Sequence, residues 1–159
     1  MLAFLALIGI SVSSLLFSRW SRIESLSEPE VRQRFEQILE QEHLQAPYLE
    51  IGEDGKVSVD RSLEGEPGQK LASLCLLAWE ADRGQLLNME IPFWFVRIKM
   101  NRYFNLGTLT TALAGDWDQI QLKISVEELQ RRGPGLLLDH VLENGSRILL
   151  WSRGESTPR

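Results

Sequence analysis

Two short patterns place a carboxylate close to a histidine, an arrangement that general acid-base chemistry and metal binding both use. Glu40 and His43 are three residues apart and would share one face of a helix, as ligand pairs do in di-iron helical bundles. Such a site needs a second copy of the pattern, which the sequence lacks, so a solvated helix end is favoured. Asp139 and His140 are adjacent in a predicted strand, and their side chains should therefore point to opposite faces.

Two further candidates are a pair of aspartates and the one cysteine. Asp116 and Asp118 could bind a cation from one side of a turn, although such pairs more often make local hydrogen bonds within the turn. Because Cys75 is the single cysteine of the sequence, an intrachain disulfide and a multi-thiolate metal site are excluded. Its apolar neighbours predict a buried, unreactive thiol. The sequence has no phosphate-binding glycine loop, nucleophile elbow or zinc-protease motif. We predict no metal and no cofactor, and no catalytic residue is assigned.

The segment 91–100 combines aromatic and basic residues and is the strongest candidate for a binding site. Alternation along a strand would direct Trp94, Val96 and Ile98 into the core. Aromatic rings beside cations on the other face suit a lipid headgroup surface, an anionic ligand or a partner protein. The alternative is that the rings belong to the core while the basic side chains extend to water. The predicted docking face consists of Phe93, Phe95, Arg97, Lys99 and Arg102.

The N-terminal segment is an uncharged apolar run that ends at residue 17 and is followed by Arg19, Trp20 and Arg22. A helix over residues 2–20 would be about 29 Å long, close to the thickness of the hydrocarbon core. We therefore predict a membrane anchor at 1–22, a single-pass topology, and a domain at 23–153 that faces the cytoplasm because the arginines follow the span. A cleaved signal peptide on an exported, periplasmic-type domain and a helix packed against protein are the alternatives.

The first elements after the predicted anchor are a helix and a hairpin. Ser27, Pro29 and Glu30 form a helix start with a capping box, and the apolar spacing predicts an amphipathic helix to about Leu44. Two alternating strands then flank an Asp-Gly turn. A three-residue loop with Gly55 in the left-handed region would pair Ile51 with Val57 and Leu49 with Val59, which keeps the apolar residues on one face.

The remaining elements alternate between helix and strand signals. Residues 71–84 are apolar almost all round and predict a central buried helix, and 91–100 predict a strand. A short helix over 105–115, a strand over 119–125 and a capped helix from Ser125 follow. A second hairpin is predicted around Asn144-Gly145, with strands at 136–142 and 147–151, before a disordered tail at 154–159.

These elements together predict an α+β domain in which an antiparallel sheet of about six strands, with two hairpins, packs on two main helices. The net charge of -5 argues against a nucleic acid partner, because phosphate binding needs a basic surface. We expect a membrane-anchored, non-enzymatic interaction or accessory module with a protein partner. The alternative is a membrane-associated enzyme that lacks a recognisable motif.

Overall fold

The computed structural model describes residues 20–52, 55–65, 69–99, 104–105, 121–122 and 124–155. Within these residues the chain forms nine strands, three α-helices and one 3₁₀ turn. In chain order they are β1 (Ser21–Ser25), α1 (Glu28–Gln41), β2 (Leu49–Ile51), β3 (Val57–Val59), the 3₁₀ turn (Arg61–Leu63), β4 (Leu71–Glu80), β5 (Gln85–Pro92), α2 (Phe93–Lys99), β6 (Phe104–Asn105), β7 (Gln121–Leu122), α3 (Val126–Arg132), β8 (Gly135–Val141) and β9 (Arg147–Gly154).

Seven of the strands form one mixed sheet in the order β1-β5-β4-β9-β8-β2-β3. All neighbouring pairs are antiparallel except β2 and β8, where Leu49 lies opposite Leu138 in a parallel pair. Strands β6 and β7 form a separate antiparallel pair. The fold class predicted from the sequence is therefore wrong: the molecule is mostly a seven-stranded mixed sheet with few helices.

The sheet buries apolar side chains on both of its faces. Alternate residues of β4 enter different core clusters, with Leu74 and Leu76 on one side and Cys75 and Leu77 on the other. Helix α1 covers the side of Cys75 through Val31 and Phe35, while α2 and α3 pack on the opposite side. Because both faces of β4 are covered, its sequence is apolar at nearly every position.

This double burial explains why the predicted central helix at 71–84 is wrong. Residues 71–80 form β4, and a turn leads directly into β5. A continuous apolar run of this length is compatible with a strand buried on both faces as well as with a buried helix, and its periodicity does not separate the two. The turn contains Gly84 at φ +61°, a left-handed conformation that glycine adopts without steric cost.

Both predicted hairpins are confirmed. Leu49 pairs with Val59 and Ile51 with Val57, and Gly55 has φ +73°. In the second hairpin β8 pairs with β9, and Gly145 has φ +84°. The register was predictable because only one alignment places the apolar residues of both strands on the core face.

Both capping boxes are also present. In α1 the Glu30 carboxylate accepts hydrogen bonds from the backbone amide and the hydroxyl of Ser27, at 2.8 and 2.5 Å, and these bonds lower the pKa of Glu30. In α3 the Ser125 hydroxyl accepts from the amide of Glu128 at 3.1 Å, while the Glu128 carboxylate accepts from the amide of Ser125 at 2.8 Å. The first helix ends at Gln41, slightly earlier than expected.

The predicted single-pass membrane attachment requires correction. Among the described residues, no helix has both the length and the apolar composition needed to cross a membrane. The longest of them, α1, has 14 residues and a charged outer face. Of the predicted anchor, residues 1–19 lie outside the described residues, and Ser21 and Arg22 belong to β1. The single-pass assignment, and with it the cytoplasmic orientation, is not retained.

Other predictions fall wholly or largely outside the described part of the chain. Most of the helix expected at 105–115 is not described, and Asn105 itself lies in β6. Of the strand expected at 119–125, the structure describes β7 and the residues Ile124 and Ser125. Of the tail expected at 154–159, Gly154 ends β9 and Glu155 is the last residue described.

Candidate functional site

The segment predicted to be a docking strand is helical from Phe93 to Lys99, so the strand assignment at 91–100 is wrong. Phe93 and Val96, three residues apart, are buried in the core on the α2 side of the sheet. Trp94 and Ile98, predicted to enter the core, are instead 57% and 69% exposed. Helical periodicity thus reverses the predicted assignment for Phe93, Trp94 and Ile98, whereas Val96 is buried and Arg97 exposed in either conformation.

Trp94, Arg97 and Ile98 form one exposed stripe along the helix, which we call the α2 surface. Their spacing of three and four residues places them on one side of a helix, and all three are exposed. Of the predicted docking residues, Phe93 is buried, Phe95 is half-buried and Arg97 is exposed. Lys99 ends α2, but its side chain lies outside the described part, as does all of Arg102.

Three aromatic rings meet at the base of the α2 surface. The Trp20 and Phe95 rings have centroids 5.0 Å apart, and the Trp94 and Phe95 centroids are 5.8 Å apart. The Trp20 and Trp94 rings also meet edge to face, with centroids 6.2 Å apart. Edge-to-face pairs of this kind are favourable beyond the area that they bury, and here they hold Trp94 against the domain while much of its ring remains exposed.

An open hollow of about 370 Å³ lies beside this aromatic cluster, lined by Trp20, Ala72, Ser73, Glu90 and Pro92. Its polar groups already have partners. The Ser73 hydroxyl donates to the Glu90 carboxylate at 2.7 Å, and Arg153 reaches the other oxygen of Glu90 at 2.7 Å. The carboxylate of the hollow is therefore neutralised by an ion pair.

Arg153 also forms a forked ion pair with Glu42, the residue that follows α1. Its Nε lies 3.1 and 3.2 Å from the two carboxylate oxygens, and its Nη2 lies 2.5 Å from one of them. Planar guanidinium groups match carboxylates in this two-point geometry. Arg153 therefore joins the end of the helix to β5 and β9, an arrangement that explains the cluster without a ligand.

The cysteine is buried, as predicted, although it lies in β4 and not in a helix. Burial raises the pKa of the Cys75 thiol to about 12, against a smaller opposing effect of the Ser73 hydroxyl 3.7 Å away. The nucleophilic form of cysteine is the thiolate. At neutral pH Cys75 is therefore a neutral, apolar core residue.

The two carboxylate–histidine patterns do not form acid–base pairs. Asp139 forms a two-point ion pair with Arg147, at 2.7 and 2.9 Å, while the neighbouring His140 is half-buried on the other face of β8. His43 lies beyond the end of α1 at φ +52°, so the helical face that it was expected to share with Glu40 does not extend to it. The pair Asp116 and Asp118 lies outside the described residues.

Comparison of the chain with known protein families, with curated proteins and with solved structures finds no match. The residues of the described chain also contain no group of three histidine, cysteine or acidic side chains placed to hold a metal ion. The α2 surface is therefore the candidate site, and it is supported by the exposure and helical spacing of its side chains. The sequence signal that would have found it is the helical spacing of Phe93 and Val96, which identifies Trp94 and Ile98 as outer residues.

Proposed function

We propose that this protein is a non-enzymatic interaction module that binds a partner protein through the α2 surface. The observation that carries the proposal is the pair of large apolar side chains, Trp94 and Ile98, exposed on one seven-residue helix. Adjacent exposed apolar residues of this size are characteristic of protein interaction sites. Tryptophan is also among the residue types that contribute most to binding at such sites.

The charge of this region indicates the chemistry of the partner. The charged residues of α2 are Arg97 and Lys99, both basic, in a chain whose net charge is -5. Arg97 is exposed between Trp94 and Ile98, where it could pair with a carboxylate at the rim of a docked apolar surface. We therefore infer a partner whose binding surface is apolar in the centre and acidic at its edge.

The interactions of three groups with reactive or acidic side chains, Cys75, Asp139 and Glu90, also support binding over catalysis. The Cys75 thiol is buried with a raised pKa, and Asp139 is held by Arg147. Glu90 is held by Ser73 and Arg153. By contrast, the exposed atoms of Trp94 and Ile98 have a large apolar area available for contact.

Site-specific photo-crosslinking in the native host tests this proposal. A photoreactive phenylalanine analogue replaces Trp94 in one variant and Val141 in another. Val141 is the matched control, because it is 57% exposed, as Trp94 is, but lies in β8. We expect one protein to crosslink at position 94 and not at position 141.

The affinity of the crosslinked partner for point variants of this chain then measures the contribution of each side chain to binding. Trp94→Ala and Ile98→Ala should each weaken binding by about tenfold or more, as central interface residues do. Arg97→Glu should weaken binding most at low salt, since rim charges act through screened electrostatics. Val141→Ala should bind like the wild type. Equal crosslinking at both positions, or unchanged affinity of the α2 variants, would show that α2 is not the binding surface.

A further inference from the structure

The outer edge of β1 carries backbone groups that are directed away from the sheet. Strand β1 has one neighbour among the described strands, β5, and Ser25 lies opposite Gln85. The amide of Leu26 donates to the carbonyl of Gly84 at 3.2 Å, which fixes the alternation of the ladder. The backbone groups of Arg22 and Glu24 therefore face β5, and those of Ile23 face the open edge.

The side chains of β1 are complementary to a second copy of the same strand. In an antiparallel pair centred on Ile23, Arg22 of one copy lies opposite Glu24 of the other, and the reverse holds across the two-fold axis. Directly opposite residues in such a pair have Cβ atoms about 4.5–5.5 Å apart, within reach of an ion pair. Charged side chains on an exposed edge strand usually hinder its pairing with another chain. In β1, however, the order of Arg22 and Glu24 sets opposite charges across the two-fold axis, so these charges attract each other.

The two faces of β1 also suit this pairing. Ile23 lies opposite Leu87 on the α2 side of the sheet, and it remains 47% exposed at the edge. In the centred pair it contacts Ile23 of the second copy. On the opposite face, Glu24 lies 3.6 Å from Arg34 of α1 and 3.7 Å from Arg22, so its carboxylate is already oriented among cations.

We propose that the protein forms a two-fold symmetric dimer through antiparallel pairing of β1 with β1, which joins two seven-stranded sheets into one. The Ile23 amide and carbonyl of each copy would bond those of the other, and two Arg22–Glu24 pairs would flank them. This inference does not rest on the proposed function, because β1 and the α2 surface share no residue. The charge variants of Arg22 and Glu24, whose side chains lie on the α1 side of the sheet, should leave the α2 surface intact.

A charge exchange tests the dimer in the full chain. Sedimentation of the wild type should show a monomer–dimer equilibrium that depends on protein concentration. Arg22→Glu and Glu24→Arg should each weaken dimerisation by about tenfold or more, because each places two pairs of like charges across the axis. The double variant, Arg22→Glu with Glu24→Arg, restores opposite charges and should restore the dimer. Arg32→Glu, on the exposed face of α1, is the control and should dimerise like the wild type.

A cysteine at position 23 provides a second, geometric test. Ile23→Cys should form an intermolecular disulfide on mild oxidation, because directly paired residues have the Cα separation that a disulfide requires. Val141→Cys is the control and should remain reduced, and the buried Cys75 should not react in either variant. A monomeric wild type would overturn the proposal. A dimer that is insensitive to the single charge variants would do so as well.

Discussion

His140 lies half-buried in β8, and its ionisation is linked to folding. Burial lowers the pKa of the imidazole below its usual 6.5, and the nearby charge of Asp139 opposes this effect only in part. The unfolded chain therefore binds a proton at a higher pH than the folded one. As the pH falls through 6.5 towards the folded pKa, protons bind preferentially to the unfolded state, and the folded state loses stability.

We expect this effect to disappear in His140→Gln, which keeps a polar side chain but cannot be charged. Chemical unfolding at about pH 7.5 and about pH 5.5 would give the loss of unfolding free energy on acidification for both proteins. The loss should be smaller in the variant, since the carboxylates that also titrate are common to both. An equal loss in the two proteins would mean that His140 is solvated like an unfolded histidine.

Among the elements, those predicted correctly from the sequence are the ones whose signals are local. Capping boxes and glycine turns operate over three or four residues, so the starts of α1 and α3 and both hairpins could be located. Whether residues 71–80 form a strand or a helix depends on the residues that cover the two faces of β4, and these residues belong to distant parts of the chain. Local pattern therefore could not distinguish it from a buried helix.

The sequence located the segment of the candidate site but not its exposed face, because the segment's conformation also depends on tertiary contacts. The composition of 91–100 drew attention to the segment in which Trp94 and Arg97 are exposed, although the aromatic residues predicted as exposed were Phe93 and Phe95. Which side chains are exposed depends on whether the segment has the periodicity of a strand or of a helix. A strand period of two residues would expose Phe93, whereas the helix exposes Trp94. The decision between strand and helix is made by tertiary packing of Phe93 and Val96, which the segment alone does not contain.

The end of α1 provides a test of backbone strain in one element. The amide of His43 donates to the carbonyl of Glu40 and the amide of Leu44 to that of Leu39, at 3.2 and 2.9 Å, which is the Schellman pattern. His43 occupies the left-handed position of this motif, where glycine is preferred. We expect His43→Gly to raise the free energy of unfolding by about 0.5–1 kcal/mol.

Gly84→Ala is the matched opposite change. Gly84 has φ +61°, and an added Cβ would lie 3.4 Å from the carbonyl oxygen of Leu26. We expect a loss of about 1–2 kcal/mol, because alanine is strained in the left-handed region. Thermal unfolding of both variants would measure these changes. A destabilised His43→Gly variant would show that the His43 side chain contributes more than its backbone strain costs.

Across the whole molecule, Arg153 connects parts of the chain that are far apart in sequence. It lies on β9 and binds Glu42 after α1 and Glu90 on β5. Arg153→Met should keep much of the side-chain volume while it leaves the Glu42 carboxylate, only 24% exposed, without its cation. We expect a loss of about 1.5–3 kcal/mol, the usual range for hydrogen bonds to charged groups.

Arg32→Met is the control for this variant, because Arg32 and its partner Glu28 are both well exposed. Exposed helical pairs contribute about 0.3–0.5 kcal/mol, so the control should be nearly neutral. Urea unfolding of the two variants would compare them directly. Similar, small losses in both would mean that the Arg153 cluster is solvated like a surface pair.

The position of β9 in the sheet affects how the protein must fold as it is synthesised. This strand is the last of the nine to leave the ribosome, yet it lies between β4 and β8 in the middle of the sheet. Until it is translated, β4 lacks one of its two neighbours, and its ten largely apolar residues have no partner on that side. The nascent chain therefore carries an apolar strand with one unpaired edge from the synthesis of β4 until that of β9, a state that favours aggregation and chaperone binding.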